Sequence, residues 1–209
     1  ALLLDEPISH LDAQLRHRLR ADIKRRLNQG SAPVIWCTPD GLEALSVGDR
    51  VVVLIDGHVE QVGTPDDIWL TPRTTRVARL IGDPPMNLLS GTVTAQSGSA
   101  AVATANVSIP LDAAAARRVK AGMAITIGVR ADSLDLAPAG EAGTIEAEIY
   151  AVEPFGKWAI VTARLAGELV KLKVHDLPHL APGAAVGLRV RNAEWRLFDG
   201  ATGVALPEN

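Results

Sequence analysis

The distribution of apolar residues divides the chain into two regions with different periodicities. In residues 1–87, short apolar runs alternate with segments in which apolar residues recur at the spacing of a helix. In residues 88–209, short alternating runs are separated by Gly and Pro, which is typical of a small β-barrel or sandwich. The stretch 82–89, which holds one Gly and two Pro residues, marks the boundary. The pattern predicts an α/β region followed by an all-β region.

The first region carries clear signals for the ends of its elements. Apolar residues recur at every fourth position of the segment 13–28, which predicts a helix with one apolar face. The members of that face are Leu15, Leu19, Ile23 and Leu27. Asp12, Asp40 and Thr64 are side chains that cap helix N-termini, and each precedes a predicted helix. The dipeptide Asp56-Gly57 separates two apolar runs and therefore predicts a β-hairpin.

Two adjacent carboxylates, Asp5 and Glu6, follow the first apolar run. This pattern predicts a buried parallel strand that delivers both acids to its C-terminal edge, where ligands bind in open α/β sheets. In phosphoryl-transfer sites, the first carboxylate of such a pair holds Mg²⁺ and the second orients or deprotonates a water molecule. The alternative is a core strand followed by a helix that Asp12 caps. The acid pair alone does not decide between the two.

The complete string 2–12, LLLDEPISHLD, is much more specific than the acid pair. It resembles the Walker B strand and D-loop of ABC-transporter ATPases, whose usual sequence is close to LLLDEPLSNLD. The resemblance implies that Asp5 holds Mg²⁺ through water and that Glu6 is the catalytic carboxylate. It also implies that Ser9 and Asp12 lie at a dimer interface, near the ATP-binding phosphate loop of the partner.

The order of the following elements also resembles this family. A predicted strand ends at Thr38-Pro39-Asp40, where the family has a Thr-His-Asp switch, and Gly63-Thr64-Pro65 matches the family's Gly-x-Pro turn. The stretch 82–89 resembles the junction in importer ATPases of the maltose and glycerol-phosphate type. Two positions depart from the family: His10 replaces an Asn, and Pro39 replaces the His that reaches the γ-phosphate. Since proline has no side-chain donor and no backbone N–H, that contact is lost.

The sequence contains no phosphate-binding loop. The pattern G-x-x-x-x-G-K-[ST] is not met by the one Gly-Lys pair, Gly156-Lys157, which has Ala151 upstream and Trp158 downstream. The chain also begins inside the strand that resembles Walker B, without a methionine. We therefore expect a piece of a longer protein, which by itself neither holds ATP and Mg²⁺ tightly nor hydrolyses ATP.

The β region contains an internal repeat. The segment Gly122–Arg130 aligns without a gap with Gly183–Arg191, and the match continues past both segments. Two copies indicate a duplicated half-domain, as in the tandem C-terminal oligonucleotide-binding-type (OB) barrels of such importer ATPases. The arginines that end the repeated segments are either ligand contacts or residues that cap loops at strand ends, which is their commoner use.

Composition narrows the choice of function. A net charge of −3 and an aromatic content of 3% argue against a dedicated nucleic-acid binder, which uses a basic field and exposed rings. The single cysteine, Cys37, favours a reducing compartment, and its place in a predicted buried strand favours a core position. The apolar runs are far too short to span a membrane.

The sequence therefore predicts an α/β remnant of a P-loop nucleotide-binding domain, residues 1–87, followed by an all-β tandem OB-like (transport-associated) regulatory domain, residues 88–209. The resemblance implies the C-terminal part of the ATP-binding subunit of an ABC importer for a sugar or glycerol-phosphate solute. Such a subunit forms a homodimer, lies in the cytoplasm on the inner face of the membrane and works with membrane-spanning permease subunits, without nucleic acid. The alternative is a stand-alone β-barrel module that binds a small molecule or a regulatory protein without hydrolysis.

Overall fold

The computed structural model describes residues 1–30, 32–96, 99–104, 107–175, 180–191 and 194–207. The chain forms two compact units. Unit 1 comprises residues 1–72 and 80–83, and unit 2 comprises residues 73–79 and the chain from Pro84 onward. The segment 73–79 thus groups with the β-rich unit, and the boundary expected after Asn87 lies close to the point where unit 2 resumes.

Unit 1 alternates strands and helices, in the order β1 (Leu2–Asp5), α1 (Ala13–Asn28), β2 (Val34–Cys37), α2 (Gly41–Val47), β3 (Val51–Ile55), β4 (His58–Gly63) and α3 (Pro65–Leu70). The predicted caps are confirmed: Asp12, Asp40 and Thr64 accept hydrogen bonds from the first-turn N–H groups of α1, α2 and α3. The β3–β4 hairpin turns at Asp56 and Gly57, whose φ angles are 51° and 77°. Two left-handed residues are what a two-residue I′ turn requires.

β1 and β2 form a two-stranded parallel sheet, as the sequence predicts. The predicted burial of β1 is wrong, because Leu2 is 42% exposed and Leu3 is 72% exposed, and Ile35 of β2 is also exposed. The core position predicted for Cys37 is wrong for the same reason, since this side chain is exposed as well. An apolar strand is buried only where another layer covers it, and the described part of unit 1 supplies no such cover to these side chains.

Unit 2 is mainly β-structure, as predicted. Its elements are α4 (Thr75–Leu80, whose last residue belongs to unit 1), β5 (Asn87–Gln96), β6 (Ser99–Ala103), β7 (Ser108–Pro110), α5 (Ala113–Ala116), β8 (Ala124–Val129), a 3₁₀ turn (Ala131–Ser133), β9 (Leu134–Ala137), β10 (Ile145–Pro154), β11 (Ala159–Leu165), β12 (Glu168–Val174), β13 (Ala185–Val190) and β14 (Arg196–Asp199). In the part of the chain that the structure describes, no helix is long and apolar enough to cross a membrane.

The strands of unit 2 form two five-stranded sheets with the same internal order, β14-β8-β5-β6-β7 and β9-β13-β10-β11-β12. In the sequence repeat, β13 is the counterpart of β8, and β14 is the counterpart of β9. The structure pairs β8 with β14 and β13 with β9. The two copies of the repeat therefore exchange their last strands, so neither copy completes its sheet alone.

One apolar core joins the two copies. Val102, Ile109 and Ile127 of the first copy are fully buried in the same cluster as Ile149 and Leu172 of the second copy. Removing surface of this kind from water is the main favourable term in folding. Because one cluster contains both sets of side chains, we expect the two copies to fold as a single unit.

Asn87, in the predicted junction, links the two sheets. Its side-chain oxygen accepts a hydrogen bond from the N–H of Lys171 at 2.7 Å, and its amide nitrogen donates to the carbonyl of Lys171 at 2.8 Å. The same nitrogen donates to the carbonyl of Val129 at 3.2 Å. Lys171 lies in β12, the outer strand of its sheet. The Asn87 amide therefore satisfies strand-edge groups that a neighbouring strand would otherwise pair.

Candidate functional site

The predicted acid pair lies at one edge of the β1–β2 sheet. β1 ends at Asp5, which is paired in register with Cys37 at the end of β2. The N–H of Glu6 donates to the carbonyl of Cys37 at 2.9 Å. Because the two strands are parallel, the chain leaves both at the same edge, so Glu6 and Pro39 follow neighbouring strand ends. Asp5, Glu6 and Pro39 are all exposed there.

The backbone of Glu6 adopts a left-handed conformation, with a φ of 43°. This conformation is uncommon for a residue other than glycine and costs on the order of 1–3 kcal/mol. Hydrogen bonds hold it on both sides, because the N–H of Glu6 is bound by Cys37 and its carbonyl accepts from the N–H of Ser9 at 3.3 Å. Strained residues of this kind concentrate at functional sites. Nothing in the residue pattern predicted this conformation.

Side-chain contacts fix the loop between β1 and α1. Ile8 is 1% exposed and anchors the loop in the interior. The Arg16 guanidinium donates from Nη2 to the carbonyls of Ser9 at 3.3 Å and of Leu11 at 3.0 Å. Asp12 ends the loop by capping α1. Half-buried Ser9 and exposed Asp12 are thus held beside the start of the helix. The residue pattern did not predict this role of Arg16, although its position in the first turns after the cap was an available signal.

The turn between β2 and α2 is closed by its own side chains. The N–H of Asp40 donates to Thr38 Oγ1 at 3.2 Å. The Asp40 carboxylate accepts from the N–H groups of Leu42 and Glu43 at 2.9 and 3.1 Å. Thr38 and Asp40 therefore form hydrogen bonds within the turn itself. Pro39, which lies between them, supplies no hydrogen-bond donor.

A partly buried hydrogen bond between side chains also stabilises this turn. Trp36 Nε1 donates to Glu43 Oε1 at 2.8 Å, and Glu43 is 1% exposed. Trp36 precedes the turn on β2 and Glu43 follows it on α2, so the bond connects the two sides. The residue pattern did not predict this pair. The available signal was Asp40-x-x-Glu43, the pattern of a capping box, in which the Glu usually returns to the cap N–H.

Asp5 and Glu6 supply only part of a metal site. Carboxylate oxygens are ligands that Mg²⁺ prefers, but this ion needs an octahedral shell that is usually completed by water and substrate phosphates. Across the residues that the structure describes, no group of three or more His, Cys, Asp or Glu side chains is placed to hold a metal ion. The residues present therefore fit one side of a Mg²⁺–nucleotide site and do not form a complete one.

The two arginines of the repeat have different surroundings. Arg191 is exposed and binds the Asp135 carboxylate of β9, and this hydrogen bond lowers the pKa of Asp135. Arg130 is buried, and burial lowers its pKa to about 10, an effect that nearby Asp132 opposes. In the second copy of the repeat, Arg196 occupies the position that matches Asp135, so the acid of this pair has no acidic counterpart there. Arg191 thus connects a strand end to the neighbouring strand, which is the structural use of such arginines.

Comparison with known protein families gives two matches in the β-rich region. Residues 82–134 match the family of the MalK OB fold domain, and residues 127–198 match the TOBE domain. These matches confirm the predicted OB-like fold. A solved structure of the cytoplasmic molybdate-binding protein ModG, with molybdate bound, is 18% identical and has a TM-score of 0.40, covering 58% of this chain and 96% of that one. This similarity is too weak to support an inference.

Over nearly its whole length, the chain is similar to ATP-binding proteins of ABC transporters. It is 35% identical to the uncharacterized ABC transporter ATP-binding protein y4oS of Sinorhizobium fredii, over 98% of this chain and 53% of that protein. It is 35% identical to the sn-glycerol-3-phosphate import ATP-binding protein UgpC 2 of Agrobacterium fabrum, over 96% and 52%. For UgpC of Chromobacterium violaceum, the identity is 36%, over 96% and 53%. The chain thus spans about half the length of the curated relatives that it matches.

The resemblance inferred from the opening motif is therefore confirmed. Over nearly its whole length, the chain is similar to about half of such ATP-binding proteins, and two of these relatives are named for sn-glycerol-3-phosphate import. The comparisons favour this assignment over a stand-alone β-barrel module, because the similarity extends through unit 1 as well as unit 2.

Proposed function

We propose that the protein represented by this chain binds ATP with Mg²⁺ and hydrolyses it to drive the import of a sugar or glycerol-phosphate solute. The observation that carries the proposal is the sheet edge at which β1 ends at Asp5 and Glu6 follows it, beside the turn with Pro39. Two acids at the ligand-binding edge of a parallel sheet suit phosphoryl transfer. The class of solute rests on the relatives, two of which are named as sn-glycerol-3-phosphate import proteins.

Each residue of the site has a proposed role. Asp5 holds Mg²⁺ through a water molecule, and the carboxylate of Glu6 orients the attacking water and accepts its proton. Bound Mg²⁺–ATP supplies the phosphoryl group, while this chain positions the water. Ser9 and Asp12 face the nucleotide of a second subunit, from a loop that Arg16 holds in place.

Pro39 lowers the rate of ATP hydrolysis at the proposed site. A histidine at this position would donate a hydrogen bond to the γ-phosphate as charge develops there, and proline has no donor to replace it. In other enzymes, removing one such donor lowers the rate on the order of 10²–10³-fold. We therefore expect ATP turnover in the complete protein that is low but measurable.

The proposed assembly is a homodimer bound to membrane-spanning permease subunits on the cytoplasmic side of the membrane, without nucleic acid. A two-fold dimer is the commonest closed assembly of a soluble protein. It would also bring Ser9 and Asp12 of one subunit towards the nucleotide of the other. We expect the chain by itself to hold neither ATP nor Mg²⁺ tightly, because its sequence contains no phosphate-binding loop.

A fusion protein tests this proposal. The part of Agrobacterium fabrum UgpC 2 that precedes its match to this chain is joined to Ala1, and ATP turnover is measured. We expect slow turnover that Pro39→His raises on the order of 10²–10³-fold. Glu6→Gln abolishes turnover with either residue at position 39, whereas Glu168→Gln, at an exposed acid of unit 2, leaves it unchanged. Turnover that survives Glu6→Gln would refute the catalytic role, and no gain from Pro39→His would refute the switch assignment.

A further inference from the structure

The segment 203–207 of unit 2 runs along the free edge of β14. The N–H of Asp199 donates to the carbonyl of Val204 at 2.8 Å. The N–H of Leu206 donates to the carbonyl of Leu197 at the same distance. Because β14 is the outer strand of its sheet, this segment, which we call the strap, binds backbone groups that no strand of the sheet pairs on that side.

The strap also binds the connecting segment, residues 73–75, through which the chain passes from unit 1 into unit 2. The N–H of Thr75 donates to the carbonyl of Gly203 at 2.9 Å. The N–H of Ala205 donates to the carbonyl of Arg73 at 2.8 Å. The strap therefore lies between the connecting segment and β14 and is hydrogen-bonded to both.

A glycine allows the strap and the connecting segment to approach closely. Gly203 has a φ of 69°, in the left-handed region that favours glycine. A Cβ atom at this position would lie 2.6 Å from Thr75 Oγ1, so the Thr75 side chain would have to move. Gly140, also in unit 2, has a φ of 75°, but a Cβ atom there would meet nothing within 4 Å. Comparing the two positions separates the effect of backbone conformation from that of close contact.

One arginine holds the far end of the strap. Arg118 donates from Nε to the carbonyl of Pro207 at 2.9 Å and from Nη2 to that of Leu206 at 2.8 Å. Hydrogen bonds from a charged donor are stronger than those between neutral groups. Both bonds end on the strap and neither reaches the connecting segment. Arg118 therefore stabilises the connecting segment only through the strap.

Backbone hydrogen bonds contribute more to holding the strap than apolar burial does. Val204 is 50% exposed, and Ala205 and Leu206 are only partly buried. By contrast, Ile127 of β8 and Leu197 of β14 are fully buried. Local opening requires least free energy where few apolar contacts are buried. The strap should therefore open more readily than the two sheets.

We propose that the strap controls whether the connecting segment is held in unit 2. The strap opens and closes as one unit while both sheets stay folded, and its opening releases residues 73–75. The release is confined to these residues, because Val77 and Ala78 of α4 are fully buried. The strap thus sets the mobility of the stretch that leads from unit 1 into unit 2. This device does not depend on the proposed ATP chemistry, since all of these residues lie in unit 2.

Native-state hydrogen exchange of the complete chain, followed amide by amide by NMR, tests this proposal. The amides of Thr75 and Leu206 are bound on opposite sides of the strap. If the strap opens as one unit, the two amides should share one protection factor in wild type. That factor should be lower than the protection factor of the amides in β8, which lies inside its sheet.

Two variants are each read at an amide that the changed side chain does not touch. Arg118→Ala should lower the protection factor of the Thr75 amide at least about tenfold, because the strap loses two charge-assisted hydrogen bonds. Gly203→Ala should lower that of the Leu206 amide in the same direction. Neither variant should change the protection of β8. The matched controls, which should leave both amides unchanged, are Arg117→Ala, at an exposed neighbour of Arg118, and Gly140→Ala.

Three outcomes would overturn the proposal. Unequal protection of Thr75 and Leu206 in wild type would show that the two segments open separately, and this comparison needs no variant to fold. Protection of the strap equal to that of β8 would show that it opens only when the whole unit unfolds. An Arg118→Ala variant that exposes Leu206 but leaves Thr75 protected, or an equal effect of the control variants, would show that the strap does not hold the connecting segment.

Discussion

Ser133 Oγ donates a hydrogen bond to Glu194 Oε2 at 2.5 Å, and these two residues occupy the same position in the two copies of the repeat. Their backbones make matching bonds, since the N–H of Ser133 donates to Arg130 and that of Glu194 donates to Arg191. A position touches its own counterpart only where two related copies meet around a common axis. The pair therefore marks the approximate two-fold axis of unit 2, around which the last strands are exchanged.

Loss of the Glu194 carboxylate should destabilise unit 2. The Ser133 side chain is buried and would lose its acceptor. We expect Glu194→Ala to lower the free energy of unfolding by about 1–3 kcal/mol, and the same change to cost less when Ser133→Ala is already present. Urea unfolding of both single variants and the double variant measures this coupling. Additive effects, or an equal loss in the exposed control Glu168→Ala, would contradict the assignment.

Asn87 should be essential to the stability of the outer strand β12. Asn87→Ala removes the partners of the N–H and the carbonyl of Lys171 together, and the loss of each partly buried hydrogen bond costs about 0.5–1.5 kcal/mol. Asn87→Asp is the matched variant, because it keeps an acceptor for the Lys171 N–H but faces the carbonyls of Lys171 and Val129 with an oxygen. Both variants should unfold at lower urea concentration. Unchanged unfolding of Asn87→Ala would show that water replaces the amide at no cost.

The pair of Asp135 and Arg191 should make stability depend on pH in the acid range. The hydrogen bond from Arg191 holds the pKa of Asp135 below its ordinary value of about 3.9. A carboxyl with a lowered folded-state pKa stabilises the fold above the unfolded-state pKa, and the contribution disappears as the pH falls through the folded-state pKa. Urea unfolding should therefore show an advantage of wild type over Asp135→Asn at neutral pH that vanishes in acid and shrinks in high salt. A pH-independent difference would contradict this.

Local signals predicted the elements of the fold but not their pairing. The caps Asp12, Asp40 and Thr64 and the turn Asp56-Gly57 depend on neighbouring residues alone, so the sequence was sufficient for them. The exchange of β9 and β14 depends on long-range contacts. The alignment of the repeat does not show with which copy's strand each of them pairs. The burial of β1 was mispredicted because an apolar run indicates which side chains need cover, not whether cover is present.

The candidate site could likewise be predicted from the sequence only in part. The motif located Asp5 and Glu6 correctly at a strand end, next to the turn with Pro39. The left-handed backbone of Glu6 was beyond prediction, since no glycine marks the position. The bond from Trp36 to Glu43 was missed because it joins two elements, whereas the sequence pattern suggested a local cap.

The exposed apolar side chains of unit 1 and the proposed dimer lead us to expect self-association. Leu3 and Ile35 are 72% and 57% exposed on neighbouring strands, a type of surface that seldom stays open to water. We expect the main dimer contacts to come from the region after Leu88. Light scattering at micromolar concentration should therefore give a mass above the 22.0 kDa of one chain. Leu3→Asp with Ile35→Asp should remove self-association through β1 and β2 and leave the dimer formed through the region after Leu88. A monomer in wild type would refute the prediction, and a monomer only in the double variant would move the contact to β1 and β2.

The most direct test of the central claim, that this chain is the C-terminal half of an importer's ATP-binding subunit, is a calorimetric titration with Mg²⁺–ATP. The chain alone should show no micromolar site, because its sequence contains no phosphate-binding loop to supply backbone N–H groups and a lysine to the phosphates. The fusion with the preceding part of Agrobacterium fabrum UgpC 2 should bind Mg²⁺–ATP, and Asp5→Asn should weaken that binding. A tight, Mg²⁺-dependent site in the chain alone, lost in Asp5→Asn, would contradict the account, as would a folded fusion that binds no nucleotide.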